Sequence, residues 1–276
     1  MYKLKADYLL LSFTFLIPLC GFTQIVSLPQ CKHQFIVIAH RGDHTNAPEN
    51  TLEAYQHAID AEADFVEIDL RTTKDGQLVI MHNASIEHMT GFTGLVKYFD
   101  FDSLRKIKIR EELHPEWGLH LIPTFGEVLV LCKGKINIYL DFKEASAAAA
   151  YKEIVNAGME KNIVVYINEP HQYADWRKTA PQMPLMVSLP KAIKTKQDMN
   201  TLLDFLKIDV VDGYYDEYNA ETVLAAKEKK VPVWADIQSA DEGIIRWDKA
   251  LALGLGGLQT DHPKALTDYL KTKGSR

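Results

Sequence analysis

The sequence has little cysteine: three residues in 276, at Cys20, Cys31 and Cys132. That excludes a disulfide-knit scaffold, and the lack of a Cys/His cluster excludes a structural zinc site. Cys31 and Cys132 read as buried thiols acting as small hydrophobes. No Gly-x-Gly-x-x-Gly follows a β-rich run, so the usual dinucleotide-binding turn is missing. A basic excess is missing too. With 31 Lys and Arg against 37 Asp and Glu, the net charge of −6 gives no general attraction to nucleic acid. The apolar run Tyr8–Leu19 is too short for a membrane span.

That short run is informative in another way. Lys3 and Lys5 precede it, and the small residues Gly21 and Thr23 follow before Gln24. A basic start, a short apolar centre and a small-residue exit predict a secretory signal peptide over 1–24. The expected location is therefore periplasmic or extracellular. Cys20 as a lipidated first residue is the alternative, which the flanking Leu19 fits poorly. No integral span is expected in the mature chain.

From residue 25 to 276 the chain, with 47% hydrophobic and 25% charged residues, has the composition of a globular domain. Short β-rich runs alternate with helical stretches. Strands are predicted at Gln34–Ala39, Phe65–Leu70, Ile136–Phe142, Ile163–Ile167, Leu185–Leu189, Val210–Tyr214, Val231–Ala235 and Gly257–Thr260. Helices are predicted near Thr51–Ala61, Ala145–Ala157, Gln172–Thr179, Lys196–Leu206, Ala220–Lys229, Asp241–Leu253 and Pro263–Leu270. In the first, Thr51 caps the amino end and Leu52, Tyr55, Ala58 and Ile59 form one apolar stripe. This alternation predicts an α/β fold, a (β/α)₈ TIM barrel. One connection is too long for a helix and its loops. After a turn at Lys74-Asp75-Gly76 and a short strand, Leu78–Met81, it reads as an insertion between strands 2 and 3, about residues 83–123, walling one side of the site.

Alternation along strand 2 puts Glu67 and Asp69 on one face and Val66, Ile68 and Leu70 on the other. With the apolar face against helices, both carboxylates point into the barrel mouth. Asp141 and Lys143 repeat this parity on strand 3. Three carboxylates from neighbouring strand ends make an oxygen-only nest for one hard divalent cation, Mg²⁺ or Ca²⁺. His40 and His82 end strands nearby, and two imidazoles suit the proton transfers of phosphodiester cleavage. Arg41 offers a planar fork to phosphate oxygens, and Lys143 a point charge. Trp234 on strand 7 is expected to wall the substrate.

Taken together, Ile38-Ala39-His40-Arg41-Gly42, Pro48-Glu49-Asn50-Thr51, Glu67-x-Asp69 and His82 resemble the pattern of the glycerophosphodiester phosphodiesterase family. The closing Thr260-Asp261-His262-Pro263 is similar to the family's strand-8 ending. The resemblance implies a metal-dependent hydrolase that releases sn-glycerol 3-phosphate and an alcohol from a small glycerophosphodiester. It implies His40 and His82 as the acid/base pair, Arg41 and Lys143 on phosphate, and Glu67, Asp69 and Asp141 on the metal, with Glu49 in support. The family commonly has Glu at the Asp141 position and Asp at Asn83. A phospholipase D-type hydrolase of lysophospholipid or sphingolipid is the alternative, with Phe92, Tyr98, Phe99 and Trp117 as an apolar ramp. A non-catalytic barrel binding phosphorylated ligands is the third reading.

Overall fold

The computed structural model describes residues 27–276. The predicted signal peptide, 1–24, lies outside the described residues. Eight parallel strands form the barrel: β1 Ile36–Ala39, β2 Phe65–Thr72, β3 Asn137–Glu144, β4 Ile163–Ile167, β5 Leu185–Ser188, β6 Val210–Asp212, β7 Trp234–Asp236 and β8 Gly257–Thr260. β8 pairs with β1 in the register Ile36↔Gly257 to Ala39↔Thr260, which joins the last strand of the barrel to the first. Between β6 and β7 the ring closes through the single bridges Val211↔Val233 and Tyr214↔Asp236. No helix among the described residues is long and apolar enough to cross a membrane.

The two faces of the strands separate as alternation demands. Val37, Val66, Ile68, Leu70, Ile138, Leu140 and Val165 face outward into the main core under the helices. Ile36, Ile38, Phe65, Tyr139, Val164, Met186, Val210 and Trp234 face inward and pack a second core in the barrel floor. Two residues further along each strand the inward position turns polar: His40, Glu67, Asp141, Tyr166, Ser188, Asp212, Asp236 and Gln259. The barrel is thus apolar at the base and ionisable at the carboxyl ends of its strands, where barrels of this kind place their chemistry.

Four expectations need correction. Trp234 does not wall a substrate. It is 3% exposed and packs against Phe65 in the floor, the rings tilted and their centroids 4.9 Å apart. Gly257 makes room for it, since a Cβ there would lie 3.0 Å from the indole. Trp234→Ala is expected to cost about 3–5 kcal/mol of stability with KM unchanged, checked by urea unfolding beside steady-state kinetics. Second, β7 starts at Trp234 rather than Val231, because Pro232 offers no N–H to a ladder. Third, Phe125–Cys132 is a helix that periodicity missed. Its sequence is nearly all apolar, so no stripe shows, yet Thr124 and Glu127 form a reciprocal cap at its start. Fourth, helix Pro263–Thr272 runs two residues beyond its predicted end.

The insertion carries its own small core: Val79, Met81, Ile86, Met89, Val96, Leu104, Ile109 and Ile122. The strand Leu78–Ile80 joins it to the barrel by pairing antiparallel with β2. Among the described residues Cys31 and Cys132 are free thiols, Cys132 buried as expected and Cys31 only partly so.

Candidate active site

The chain leaves β1 through a strained turn. Arg41 has φ 53° and Asn50 φ 56°, left-handed values that bulky side chains seldom adopt. Both are held by specific bonds: the Asn50 N–H donates to the Arg41 carbonyl at 2.9 Å, and the Arg41 N–H donates to Glu67 Oε2 at 2.8 Å. Gly42, φ 90°, sits against the helix Leu52–Asp60, where a Cβ would lie 2.7 Å from the Ala54 backbone. Strain held in place this way marks a functional turn.

Glu49, Asn50 and Thr51 then each have a task. Glu49 takes both its oxygens to Arg41 Nη1, at 3.0 and 2.8 Å. That fixes the guanidinium and leaves its buried Nε without a hydrogen-bond partner among the described residues. Asn50 Nδ2 donates to Asp69 Oδ2 at 2.8 Å, and the Tyr55 hydroxyl donates to Asn50 Oδ1 at 2.7 Å. Thr51 caps the helix that follows.

Glu67, Asp69 and Asp141 converge from β2 and β3, with a carboxylate oxygen of each within 4.8 Å of the others. Glu67 and Asp69 are buried. Burial and the neighbouring Asp69 and Asp141 charges push the Glu67 carboxyl well above its usual range. Burial, then Asp69, also raises Asp141. The Lys143 ammonium stands between Asp141 and Asp69, 3.3 Å from Asp69 Oδ1. Burial works against its charge, but those carboxylates outweigh it and raise its pKa. Asn168 Nδ2 donates to Asp141 Oδ1 at 2.7 Å. Asp69 Oδ1 itself is buried and accepts no hydrogen bond among the described residues. An all-oxygen set of three converging carboxylates, one of whose buried oxygens has an ion pair but no hydrogen bond, fits a hard divalent cation.

The two histidines face this group with different support. His40 Nδ1 lies 2.6 Å from Asp261 Oδ1, an oxygen shared with His44 Nε2 at 3.1 Å. Burial alone would raise Asp261, but the bonds to both rings hold it far below the usual carboxylate range. Among the described residues no carboxylate bonds to the His82 ring. Its Nδ1 meets Asn83 Oδ1 at 3.0 Å, and burial lowers its pKa. Arg71 fixes the backbone there, Nη2 donating to the His82 carbonyl at 2.6 Å and Nε to the Met81 carbonyl at 3.0 Å.

His40, Arg41, Glu67, Asp69, His82, Asp141 and Lys143 thus line one cavity of about 280 Å³, as the sequence predicted. Glu49 touches it only through Arg41. His44, Arg71, Asn168, Asp212, Asp236 and Gln259 were not picked out in the sequence, and Asn50 and Asp261 were picked out only as parts of motifs, without these roles. For Asp212, Asp236 and Gln259 the signal was present, since each sits two residues after an inward floor position. For His44 and Arg71 there was none.

The family model described as the glycerophosphoryl diester phosphodiesterase family matches residues 40–265. A glycerophosphodiester phosphodiesterase of Caldanaerobacter subterraneus subsp. tengcongensis is 26% identical over 247 residues, 87% of this chain and 99% of that protein. One from Bacillus altitudinis is 28% identical, covering 82% and 94%. Among solved structures, a glycerophosphodiester phosphodiesterase from Agrobacterium tumefaciens superposes with a TM-score of 0.77 at 17% identity, over 85% of this chain and 99% of that one. An Oleispira antarctica phosphodiesterase in complex with the product sn-glycerol-3-phosphate gives 0.72 at 20% identity, over 86% and 96%.

Proposed function

The chain belongs to the glycerophosphoryl diester phosphodiesterase family, a family of hydrolases, and from that premise we propose how its own residues cleave a glycerophosphodiester to sn-glycerol 3-phosphate and an alcohol. The observation that carries the reading is the convergence of Glu67, Asp69 and Asp141 on the same cavity as Arg41, His40 and His82. Glu67, Asp69 and Asp141 hold one divalent cation, Mg²⁺ or Ca²⁺. When bound, it supplies Lewis-acid polarisation of the phosphoryl group.

The remaining work falls to the side chains. Arg41, aimed by Glu49, turns its guanidinium to a non-bridging phosphate oxygen, and Lys143 adds positive charge beside it. His82 starts neutral, because burial disfavours its charged form, and so takes up a proton from the attacking oxygen. His40 gives a proton to the leaving alcohol, with the Asp261 carboxylate at Nδ1 orienting the ring. The predicted signal peptide supports a periplasmic or extracellular enzyme.

Asn83→Asp is a direct test of the His82 assignment. A carboxylate beside Nδ1 stabilises the imidazolium and raises its pKa, so the acidic limb of the kcat/KM profile is expected to move to higher pH. A profile that does not move removes His82 from the base role.

Phe92 and Tyr98 are exposed at 59% and 69% on the insertion, which favours a lipid-chain reading. Neither lines the cavity, whose lining residues all carry a polar group. The deciding assay is release of sn-glycerol 3-phosphate from glycerophosphocholine and glycerophosphoethanolamine, with Mg²⁺, Ca²⁺ or chelator, beside lysophosphatidylcholine. Cation-dependent release from the deacylated substrates is expected. No release from either with any cation defeats the proposal.

A further inference from the structure

Asp261 stands apart from the carboxylate trio, on the rim where β8 lies beside β1. His40 follows β1 and Asp261 follows β8, each one residue past the pair Ala39↔Thr260. The His40 N–H donates to the Thr260 carbonyl at 3.0 Å, which fixes the two ends side by side. His44 reaches the same place from the turn after β1. Its neighbour Asp43 is buried, its N–H donating to the Ala54 carbonyl at 2.9 Å and its Oδ1 accepting the Thr45 hydroxyl at 2.6 Å. From that anchor His44 Nε2 joins His40 Nδ1 on a single oxygen, Asp261 Oδ1. Orienting His40 takes one carboxylate and one ring. The second ring has no part in the proton transfers proposed above, and it competes for the oxygen that His40 uses.

The three atoms lie within 4.8 Å of one another, two imidazole nitrogens and one carboxylate oxygen from three separate segments of the rim. The side chains of His40, His44 and Asp261 are 20%, 26% and 29% exposed, so an ion in solution can reach them. A tetrahedral ion with bonds of about 2.0–2.1 Å holds its ligands about 3.3 Å apart. The N···O separations of 2.6 and 3.1 Å reach that by opening less than about 1 Å. Glu242 adds negative charge behind the group, its Oε2 accepting the Asp261 N–H at 3.3 Å. This donor set is chemically unlike Glu67, Asp69 and Asp141. Imidazole nitrogens suit Zn²⁺ and its first-row neighbours, whereas Mg²⁺ and Ca²⁺ take oxygens.

We propose that His40, His44 and Asp261 form a second metal site, selective for Zn²⁺ or a similar borderline cation, whose occupancy withdraws His40 from catalysis. The ion binds His40 Nδ1, His44 Nε2 and Asp261 Oδ1 and keeps a fourth position open. It takes the place of the ring protons that face the carboxylate, releasing one for each ring that was charged. His40 then holds a proton only on Nε2, and giving it up would leave an imidazolate. That ring is a far weaker acid than an imidazolium, so the leaving alcohol goes unprotonated. The site itself stands on the rim geometry alone. Its effect on turnover rests on the reading of His40 as proton donor given above. The hard cation on the carboxylate trio and the borderline cation on the rim therefore act in opposition, one promoting cleavage and the other silencing it.

Calorimetric titration of the wild type with Zn²⁺, in a large excess of Mg²⁺ to fill the carboxylate trio, is expected to show a zinc site for which Mg²⁺ does not compete. His44→Ala is expected to weaken it by at least about 10–100-fold, the loss that even an outer partner of a ligand carries. Glu67→Gln, which impairs the trio, is expected to bind zinc as the wild type does. Co²⁺ in place of zinc gives a readout that needs no variant: the visible absorption of a four-coordinate ion, retained in excess Mg²⁺. No zinc bound in excess Mg²⁺, Co²⁺ absorption lost to Mg²⁺, affinity unchanged in His44→Ala, or affinity lost in Glu67→Gln each overturns the site. In turnover with Mg²⁺, zinc is expected to inhibit cleavage of glycerophosphocholine at least about tenfold more than that of bis(p-nitrophenyl) phosphate, whose leaving group needs little protonation. Equal inhibition of both overturns the action through His40. If neither ester is cleaved with any cation, the phosphodiesterase reading falls, and the binding measurements still decide the site.

Discussion

His40→Ala is expected to lower kcat for glycerophosphocholine by about 10²–10⁴-fold, the usual contribution of a positioned proton donor, while the protein stays folded. The structure explains why the two effects separate. His40 is one of two rings on Asp261 Oδ1, and His44 Nε2 remains there at 3.1 Å when His40 is removed. The carboxylate keeps a partner, so no buried charge is stranded and the penalty for an unpaired ion does not arise. Neither does the ring fill the floor, whose packing ends at Ile38, two residues earlier. Kinetics with an activated leaving group make the role specific. Bis(p-nitrophenyl) phosphate expels a phenolate that needs little protonation, so the variant should lose far less on it than on glycerophosphocholine. An equal loss on both substrates would make His40 a positioning or binding group rather than the proton donor.

Much of this site was legible because its chemistry is local. His40-Arg41-Gly42, Pro48–Thr51, Glu67/Asp69 and Asp141/Lys143 each lie on one strand end or one turn, and a period of two assigns their faces. What parity cannot give is depth. Trp234 and Asp236 share a face of β7, yet one packs the floor at 3% exposure and the other meets the cavity. Placing the strand at Val231–Ala235 hid Asp236 and promoted Trp234 in its stead. Pairing across the barrel was also invisible. Asp261 meets His40 across 221 residues only because β8 lies beside β1. The strained φ of Arg41 and Asn50 left no mark in composition, since neither is glycine. Phe125–Cys132 escaped for the opposite reason: a helix apolar nearly all round shows no stripe to read.

Glu67→Gln is expected to abolish cation-dependent hydrolysis and, with chelator present, to leave the protein more stable than the wild type. Burial and the charges of Asp69 and Asp141 raise the Glu67 pKa in the folded chain. A group whose folded pKa is raised favours folding only while protonated, so that contribution is lost as pH climbs above the usual carboxylate range. Without a cation, the wild-type Tm should therefore decline over that climb. The glutamine variant should decline less, because its neutral amide carries no charge to desolvate, and its carbonyl can still accept the Arg41 N–H. Adding cation reverses the order. Binding at about 100 times Kd contributes roughly 2.7 kcal/mol, a rise in Tm of about 5–10 °C for a domain of this size. That rise is expected in the wild type and absent in the variant. Thermal melts of both proteins with Mg²⁺, Ca²⁺ or chelator decide it. A cation-induced rise of equal size in Glu67→Gln would take Glu67 out of the metal site, whereas a variant less stable than chelated wild type would show the carboxylate trio to be relieved by Lys143 alone.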